Sequence, residues 1–245
     1  MKIIAVIPAR FNSSRFEGKP LASILGVPMV VRVYNQVKKV SGLDDIVVAT
    51  DDERIRQVCV EHGIPAVMTS TEHKTHIDRL YEVSTKINAD FYININGDEP
   101  LIEPEAIERI IPNEPVSEKV QVFNLMTPIT NPLEAVDTSK IKIATDVNGY
   151  ALYLARYPIP FPKGSYNYVL YKFVGVQCFN KAALEFANSA PRGIIEATED
   201  IDEFRFIENG EKIKFISCNT TTLSVDTPKD VKKVEEILLT KGEFE

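Results

Sequence analysis

Residues 2–21 read KIIAVIPARFNSSRFEGKPL. The run KIIAVIP (2–8) is continuous and rich in β-branched residues, the pattern of a strand covered on both faces. It leads without a spacer into a segment carrying Arg10, Arg15 and Lys19 against a single acid, Glu17. Ser13, Ser14 and Gly18 permit a tight turn with exposed backbone N–H groups. A triphosphate carries about four negative charges, and such a loop offers fixed cations and amide donors to meet them. The spacing is neither GxxxxGK[ST] nor GxGxxG, so this is not a Walker loop or a dinucleotide fingerprint.

Outward from this stretch, strands and amphipathic helices alternate. Val30, Val33, Val37 and Val40 form a stripe at 3-4-3 spacing, which predicts a helix packed on a sheet. Next come a strand over 45–49, a helix from about Asp52 to Glu61 closed by Gly63, a strand over 65–68, a helix from about His76 to Ile87 and a strand over 90–95. Such alternation with short connections implies parallel strands and right-handed crossovers, an α/β doubly wound sheet. Functional groups then collect at the carboxyl ends of the strands, after Pro8 and after Ile95. The second half is less regular, with more antiparallel strands expected near 120–129, 140–145, 150–156, 168–179 and 213–218. Helices are expected near 181–188, 198–208 and 228–240. The proline-rich tract YPIPFPKGSYN (157–167) reads as an exposed loop. No repeat or linker interrupts the chain, which predicts one catalytic domain over 1–245 with a smaller antiparallel arm.

Composition narrows the function. The chain has 245 residues, 44% of them apolar, enough for a sizeable core. A net charge of −7 argues against nucleic acid or an anionic membrane surface as partner, so an anionic ligand needs a local cationic cluster. No apolar run approaches the roughly 20 residues of a membrane span, and the opening residues do not form a signal-peptide core. Cys59, Cys178 and Cys218 are far apart and odd in number, fitting small core residues in a reducing cytoplasm.

Two acidic segments complete the candidate chemistry. NINGDEP (94–100) puts Asp98 just beyond a buried strand, where it can offer oxygens to Mg²⁺; an ordinary turn is the competing reading. In SVDTPKD (224–230), Thr227, Pro228 and Asp230 serve as a helix start, which leaves Asp226 unassigned and available as a second metal ligand. His73 and His76 lack a third ligand at helical spacing, which argues against zinc, and His62 sits at a helix end. The run Glu196, Glu199, Asp200, Asp202, Glu203 reads mostly as the solvated face of a helix whose Ile201 and Phe204 point inward.

Together these segments resemble the cytidylyltransferases that activate acidic sugars, most closely the 3-deoxy-manno-octulosonate (KDO) cytidylyltransferases. IPARFNSSRFEGKPL with Gly26, Pro28 and Met29 resembles the family's IPAR-x-x-S-x-R-x-x-GKPL and G-x-P-M. VATDDERI (48–55), NINGDEPLI and Lys142 with GYALYLARYPIP resemble further family segments, and IEATEDIDEFRFIENGEKI (195–213) resembles LE-x-x-E-x-LEQLR-x-L-x-x-G-x-KI. SVDTPKDV resembles the closing V-D-T-P-x-D. The resemblance implies a nucleotide-diphospho-sugar transferase fold (Rossmann-like, mostly parallel), usually homodimeric, converting CTP and an acidic sugar to a CMP-sugar and pyrophosphate. It implies Mg²⁺ held by Asp98 and Asp226, with Lys19 beside them as a catalytic residue. Pro8, Ala9, Arg10, Ser13, Ser14, Arg15, Lys19 and Arg79 correspond to nucleotide contacts. Asn96, Lys142, Lys172, Gln177 and Glu196 are the expected acceptor contacts.

Departures cluster on the acceptor side. The family's H-x-S-G-T-[DE]-R, a segment placed to touch the nucleotide as well as the acceptor and so to bear on the CTP preference, becomes His73-Lys74-Thr75-His76-Ile77-Asp78-Arg79, and its Gln before Gly-Asp becomes Asn96. Its R-H-x-G-I-Y-G-Y becomes Lys172-Phe173-Val174-Gly175-Val176-Gln177-Cys178-Phe179. Polar pockets discriminate strongly because an unpaired buried group is costly. A changed acceptor is therefore expected; a nucleotidyltransferase for another acid or a sugar phosphate, and a silent nucleotide-binding protein, stand as alternatives.

Overall fold

A computed structural model gives the fold and describes residues 1–13, 15–165, 167–220 and 223–242. The opening run forms β1 (Ile3–Ala9), buried throughout except at Pro8. A 3-10 turn at Lys19–Leu21 and a small hairpin, β2 (Ser23–Ile24) with β3 (Val27–Pro28), lead to α1 (Met29–Val37). Val30, Val33 and Val37 are buried as the stripe requires, each contributing about 1.5–3 kcal/mol. Val40 lies past the helix end but still packs in the core. There follow β4 (Asp45–Thr50), α2 (Glu53–Glu61), β5 (Ala66–Met68), α3 (His76–Lys86) and β6 (Phe91–Ile95). Asp52 caps α2 by accepting the Arg54 N–H, and Thr75 with Asp78 forms a capping box that starts α3.

The rest of the chain comprises α4 (Pro104–Glu108), β7 (Val122–Pro128), α5 (Pro132–Val136), β8 (Lys142–Thr145), β9 (Ala151–Ala155) and β10 (Tyr171–Asn180). After these come α6 (Lys181–Ser189), α7 (Ile194–Glu199), α8 (Phe204–Glu208), β11 (Ile213–Ser217) and α9 (Pro228–Lys241). The main sheet runs β11-β7-β10-β6-β1-β4-β5, with β8 and β9 branching from β10 as an antiparallel arm. β1 pairs in parallel with β4 and β6, and β4 with β5. β10 is antiparallel to β6 and β7, while β11 returns parallel to β7.

Alternate residues of β1 feed two cores, as the period of two demands. Ile3, Ala5 and Ile7 meet α1, α2 and α4 on one face; Ile4 and Val6 meet α3 and α6 on the other. Both faces are thus covered, and the carboxyl ends of β1 and β6 lie side by side.

Two expectations need correction. The helix expected over 198–208 is two short helices, α7 and α8, broken where Asp200 adopts a left-handed conformation (φ 54°). The strand expected from 168 begins at Tyr171. Helices α4 and α5 were not legible in the sequence; each is short and has proline at its first turn. Among the described residues, no helix is long and apolar enough to cross a membrane.

Candidate active site

The turn after β6 lies against the end of β1. A Cβ on Gly97 would stand 2.7 Å from the Pro8 carbonyl oxygen, so only glycine permits this approach. Behind it, the Val225 N–H donates to the Asp98 carbonyl at 2.8 Å, strapping the segment before α9 to the same turn. That backbone bond brings Asp226 beside Asp98. The Lys19 ammonium lies 2.6 Å from Asp98 Oδ2 and 3.8 Å from Asp226 Oδ1, and the Arg15 guanidinium reaches the same Asp226 oxygen at 2.9 Å. The two carboxylates therefore share one cation and stand no farther apart than those two contacts together allow. Asp98 Oδ1 is buried without a hydrogen-bond partner. Asp230 is occupied with the Thr227 cap of α9, which leaves the Asp226 carboxylate free to face the cleft.

These groups line a cleft of about 370 Å³. Pro8, Ala9, Arg10, Ser13, Arg15 and Lys19 form its basic side; Ser14 lies outside the described residues. Arg79 lines the cleft from α3 but is itself buried, paired with Asp51 at 2.8 Å and bonded to Thr69. Asp51 also accepts the Phe11 N–H at 3.3 Å, and the Arg54 guanidinium lies 3.3 Å from the Phe11 ring centroid. The basic loop is thus pinned at its base to α2 and α3 while Arg10 and Arg15 stay exposed. Asp51 had no role assignable from sequence, because its partners are remote along the chain. Beneath the site, burial and the neighbouring Asp98 push the Glu99 carboxyl up to about 7.

The expected acceptor contacts separate into two groups. Asn96 lines the cleft, and Gln177 stands directly behind it: the Asn94 amide donates to Asn96 Oδ1 at 3.0 Å and to Gln177 Oε1 at 2.9 Å. Gln177 donates in turn to Glu203. Lys142, Lys172 and Glu196 do not line this cleft. Lys142 is fully buried and spends its three donors on the Asp137, Lys140 and Arg156 carbonyls, so it holds the arm together. Lys172 pairs with Glu134 at 2.6 Å in a separate cleft with Thr127 and Thr220. Glu196 is buried and takes a two-pronged contact from Arg205, 2.5 and 2.6 Å, that ties α7 to α8.

The solvated-face reading of the acidic run also needs correction. Glu196 is 0% exposed and Glu203 3%, whereas Asp200 and Asp202 line the cleft. His76, at the first position of α3, faces them: its Nδ1 is 3.2 Å from Asp202 Oδ2, and its Nε2 is 4.0 Å from Glu203 Oε1. His73 pairs instead with Glu82. Among the described residues, no group of three or more His, Cys, Asp or Glu is arranged around a metal position.

Comparison with known proteins places the chain. A cytidylyltransferase family model matches residues 4–213. The 3-deoxy-manno-octulosonate cytidylyltransferase of Geotalea uraniireducens is 39% identical, covering 97% of this chain and 99% of that protein. The protein of the same name from Syntrophotalea carbinolica is also 39% identical, over 96% and 98%. A solved CMP:2-keto-3-deoxy-manno-octonic acid synthetase complexed with CTP superimposes with a TM-score of 0.92 at 34% identity, covering 98% of this chain and all of that one. An inositol-1-phosphate CTP transferase from T. maritima shares the fold alone, with a TM-score of 0.71 at 14% identity. With that fold, those two strand ends and similarity along nearly its whole length, the chain belongs to the 3-deoxy-manno-octulosonate cytidylyltransferase family.

Proposed function

We propose that this protein transfers a cytidylyl group from CTP to an oxygen of an acidic sugar, a 3-deoxy-2-ulosonic acid such as KDO or a close variant, releasing pyrophosphate. A bond forms between the acceptor oxygen and the α-phosphorus as the bond to the β-phosphate oxygen breaks, so no side-chain nucleophile is required. The observation that carries the reading is the meeting of Asp98 and Asp226, far apart in sequence, at one cation beside a basic loop.

A divalent ion fits this pair. Asp98 has an oxygen without a partner, and the shared Lys19 marks where the two carboxylates call for positive charge. Two carboxylates are what Mg²⁺ asks of a protein when substrate oxygens and water complete its shell. When bound, Mg²⁺ would supply charge neutralisation at the reacting phosphate and acidify the acceptor hydroxyl. Arg10, Arg15 and Lys19 would hold the β,γ-phosphates and stabilise the departing pyrophosphate; Pro8, Ala9, Ser13, Ser14 and Arg79 would set the nucleotide's position. Asn96 would contact the acceptor, with Gln177 supporting it through Asn94. The chain would act as one cytoplasmic catalytic domain.

A second copy is the expected partner. Leu152, Tyr157, Phe161 and Val169, all more than half exposed, lie on or beside the β8–β9 arm, and β9 hydrogen-bonds to β8 alone among the described strands. An apolar surface of this kind suits a self-complementary interface. Light scattering on the purified protein should give twice the chain mass; a monomer would remove this part. For the activity, CTP, Mg²⁺ and KDO should give pyrophosphate and a CMP adduct visible by mass spectrometry. Tight CTP binding without any adduct across a panel of keto-acid sugars would instead favour a silent nucleotide-binding protein.

A further inference from the structure

Three segments far apart in the chain bring His76, Gln177 and Glu203 close together. His76 and Gln177 lie in the two segments that depart from the family motifs, and Glu203 stands at the start of α8. In the fold, Gln177 donates to Glu203, His76 Nε2 lies 4.0 Å from Glu203 Oε1, and the Gln177 amide lies beside the same ring. Gln177 is 1% exposed and Glu203 3%, so this is a desolvated cluster. The imidazole stands on the cleft side of this buried carboxyl and primary amide, which back it as one wall.

The wall has a polarity. His76 gives its Nδ1 side to Asp202 at 3.2 Å, and Asp202 lines the cleft with Asp200 beside it. Burial opposes a charge on His76, but the Asp202 hydrogen bond and the Asp202 and Glu203 carboxylates outweigh it and raise the ring above its ordinary value. Burial likewise opposes ionisation of Asp202, and the His76 hydrogen bond overcomes it, holding that carboxyl below the usual range. An ionised carboxylate accepts hydrogen bonds and donates none. A phosphate tail is repelled from this side and drawn to Arg10, Arg15 and Lys19 on the other.

We propose that His76 is a positioning residue for acceptor recognition: it holds the Asp202 side chain toward the cleft, which selects an acid turning a hydrogen-bond donor such as a hydroxyl to that wall and rejects one turning a phosphate or second carboxylate there. The inference rests on the cytidylyl-transfer reading of the cleft and adds the acceptor's required polarity.

The test uses the full chain with Mg²⁺, comparing wild type, His76→Ala, His76→Gln, Asp202→Asn and the His76→Ala/Asp202→Asn double variant. Each is checked for folding by thermal melt. Steady-state rates are measured with KDO and with KDO phosphorylated on its terminal hydroxyl, and CTP affinity separately by calorimetry. His76→Ala should raise the acceptor KM roughly tenfold or more, with kcat and the CTP Kd changed by less than about threefold. His76→Gln should recover part of the loss, and the double variant should be no worse than Asp202→Asn, because both remove the same contact. Wild type should favour the free acid over its phosphate ester by about a hundredfold or more. A CTP Kd that rises in step with the acceptor KM would assign the wall to the nucleotide and overturn the inference, as would additive losses or equal use of the phosphate ester. Absence of turnover by wild type with either acid, and with a wider keto-acid panel, would sink the cytidylyl-transfer reading and this inference with it; turnover without the KM split sinks the inference alone.

Discussion

The two sides of the cleft are built on opposite electrostatic plans. On the basic side, Arg15 is 61% exposed at its side chain and Lys19, Asp98 and Asp226 are partly open, so their charges pair with each other while water still reaches them. The exposed Arg15 costs little to rearrange, which suits a group proposed to release its carboxylate when a polyanion arrives. On the far side, Glu203 and Gln177 are sealed from solvent, while His76 and Asp202 stand partly open at the cleft and are backed by that buried pair. Buried polar networks rearrange only at high cost. The basic side suits a ligand of constant chemistry, a triphosphate; the sealed side suits discrimination.

The contrast can be broken most sharply at its centre. Asp98→Ala should lower turnover with CTP and acceptor by about 10³-fold or more while leaving the melting temperature near wild type, assayed by pyrophosphate release. Near-normal turnover would remove the metal assignment, and the same holds for Asp226→Ala.

Glu203→Gln probes the sealed side through stability. Burial pushes the Glu203 carboxyl up to about 7 from 4.5, against the pull of His76. A raised folded value favours the protonated form, so its stabilising contribution is complete below about pH 4.5 and is lost as pH rises through 7. The loss is on the order of 3 kcal/mol, and Glu203→Gln should abolish that part of the slope in denaturant titrations between pH 4.5 and 8. Glu99, also raised to about 7, should keep a slope of the same sign in the variant. An unchanged profile would mean that Glu203 is not desolvated.

Lys19→Met should reduce kcat/KM for CTP by about 10²-fold, with a smaller effect on the acceptor KM, sharpening the division between the two sides. The smallest effect belongs to Asp230, which stands behind the basic side and accepts the Asp226 N–H at 3.3 Å. Asp230 is held down to about 2, because its bonds to Lys233 and Thr227 outweigh the burial that opposes its charge. Asp230→Ala should destabilise by about 1 kcal/mol through loss of the α9 cap, with kcat unchanged. Its contribution is present above pH 4 and fades as pH falls toward 2, so the difference from wild type should vanish in acid.

The same division explains what the sequence disclosed. The alternation through Ile95 and the basic loop are local patterns, and each lies where period and charge put it. Asp226 was legible by subtraction, since Thr227, Pro228 and Asp230 are accounted for by a helix start. The acidic run was misread because a buried Glu and a solvated Glu look alike along a chain. What meets the buried Glu196 is Arg205, and what donates to Glu203 is Gln177, 26 residues away on β10. Lys142 was misplaced for the converse reason: three carbonyls brought together by the arm satisfy its ammonium, and nothing local announces them.

The strap between Val225 and Asp98 bears on how the molecule comes into being. A ribosome that has delivered everything through β11 has supplied every strand of the main sheet, yet only one of the two acids. The matched cytidylyltransferase stretch, ending at residue 213, stops short of the other. The proposed second metal ligand therefore arrives last in synthesis, together with Val225, Val234 and Leu238, which complete a core cluster with Ile24, Met29 and Leu101.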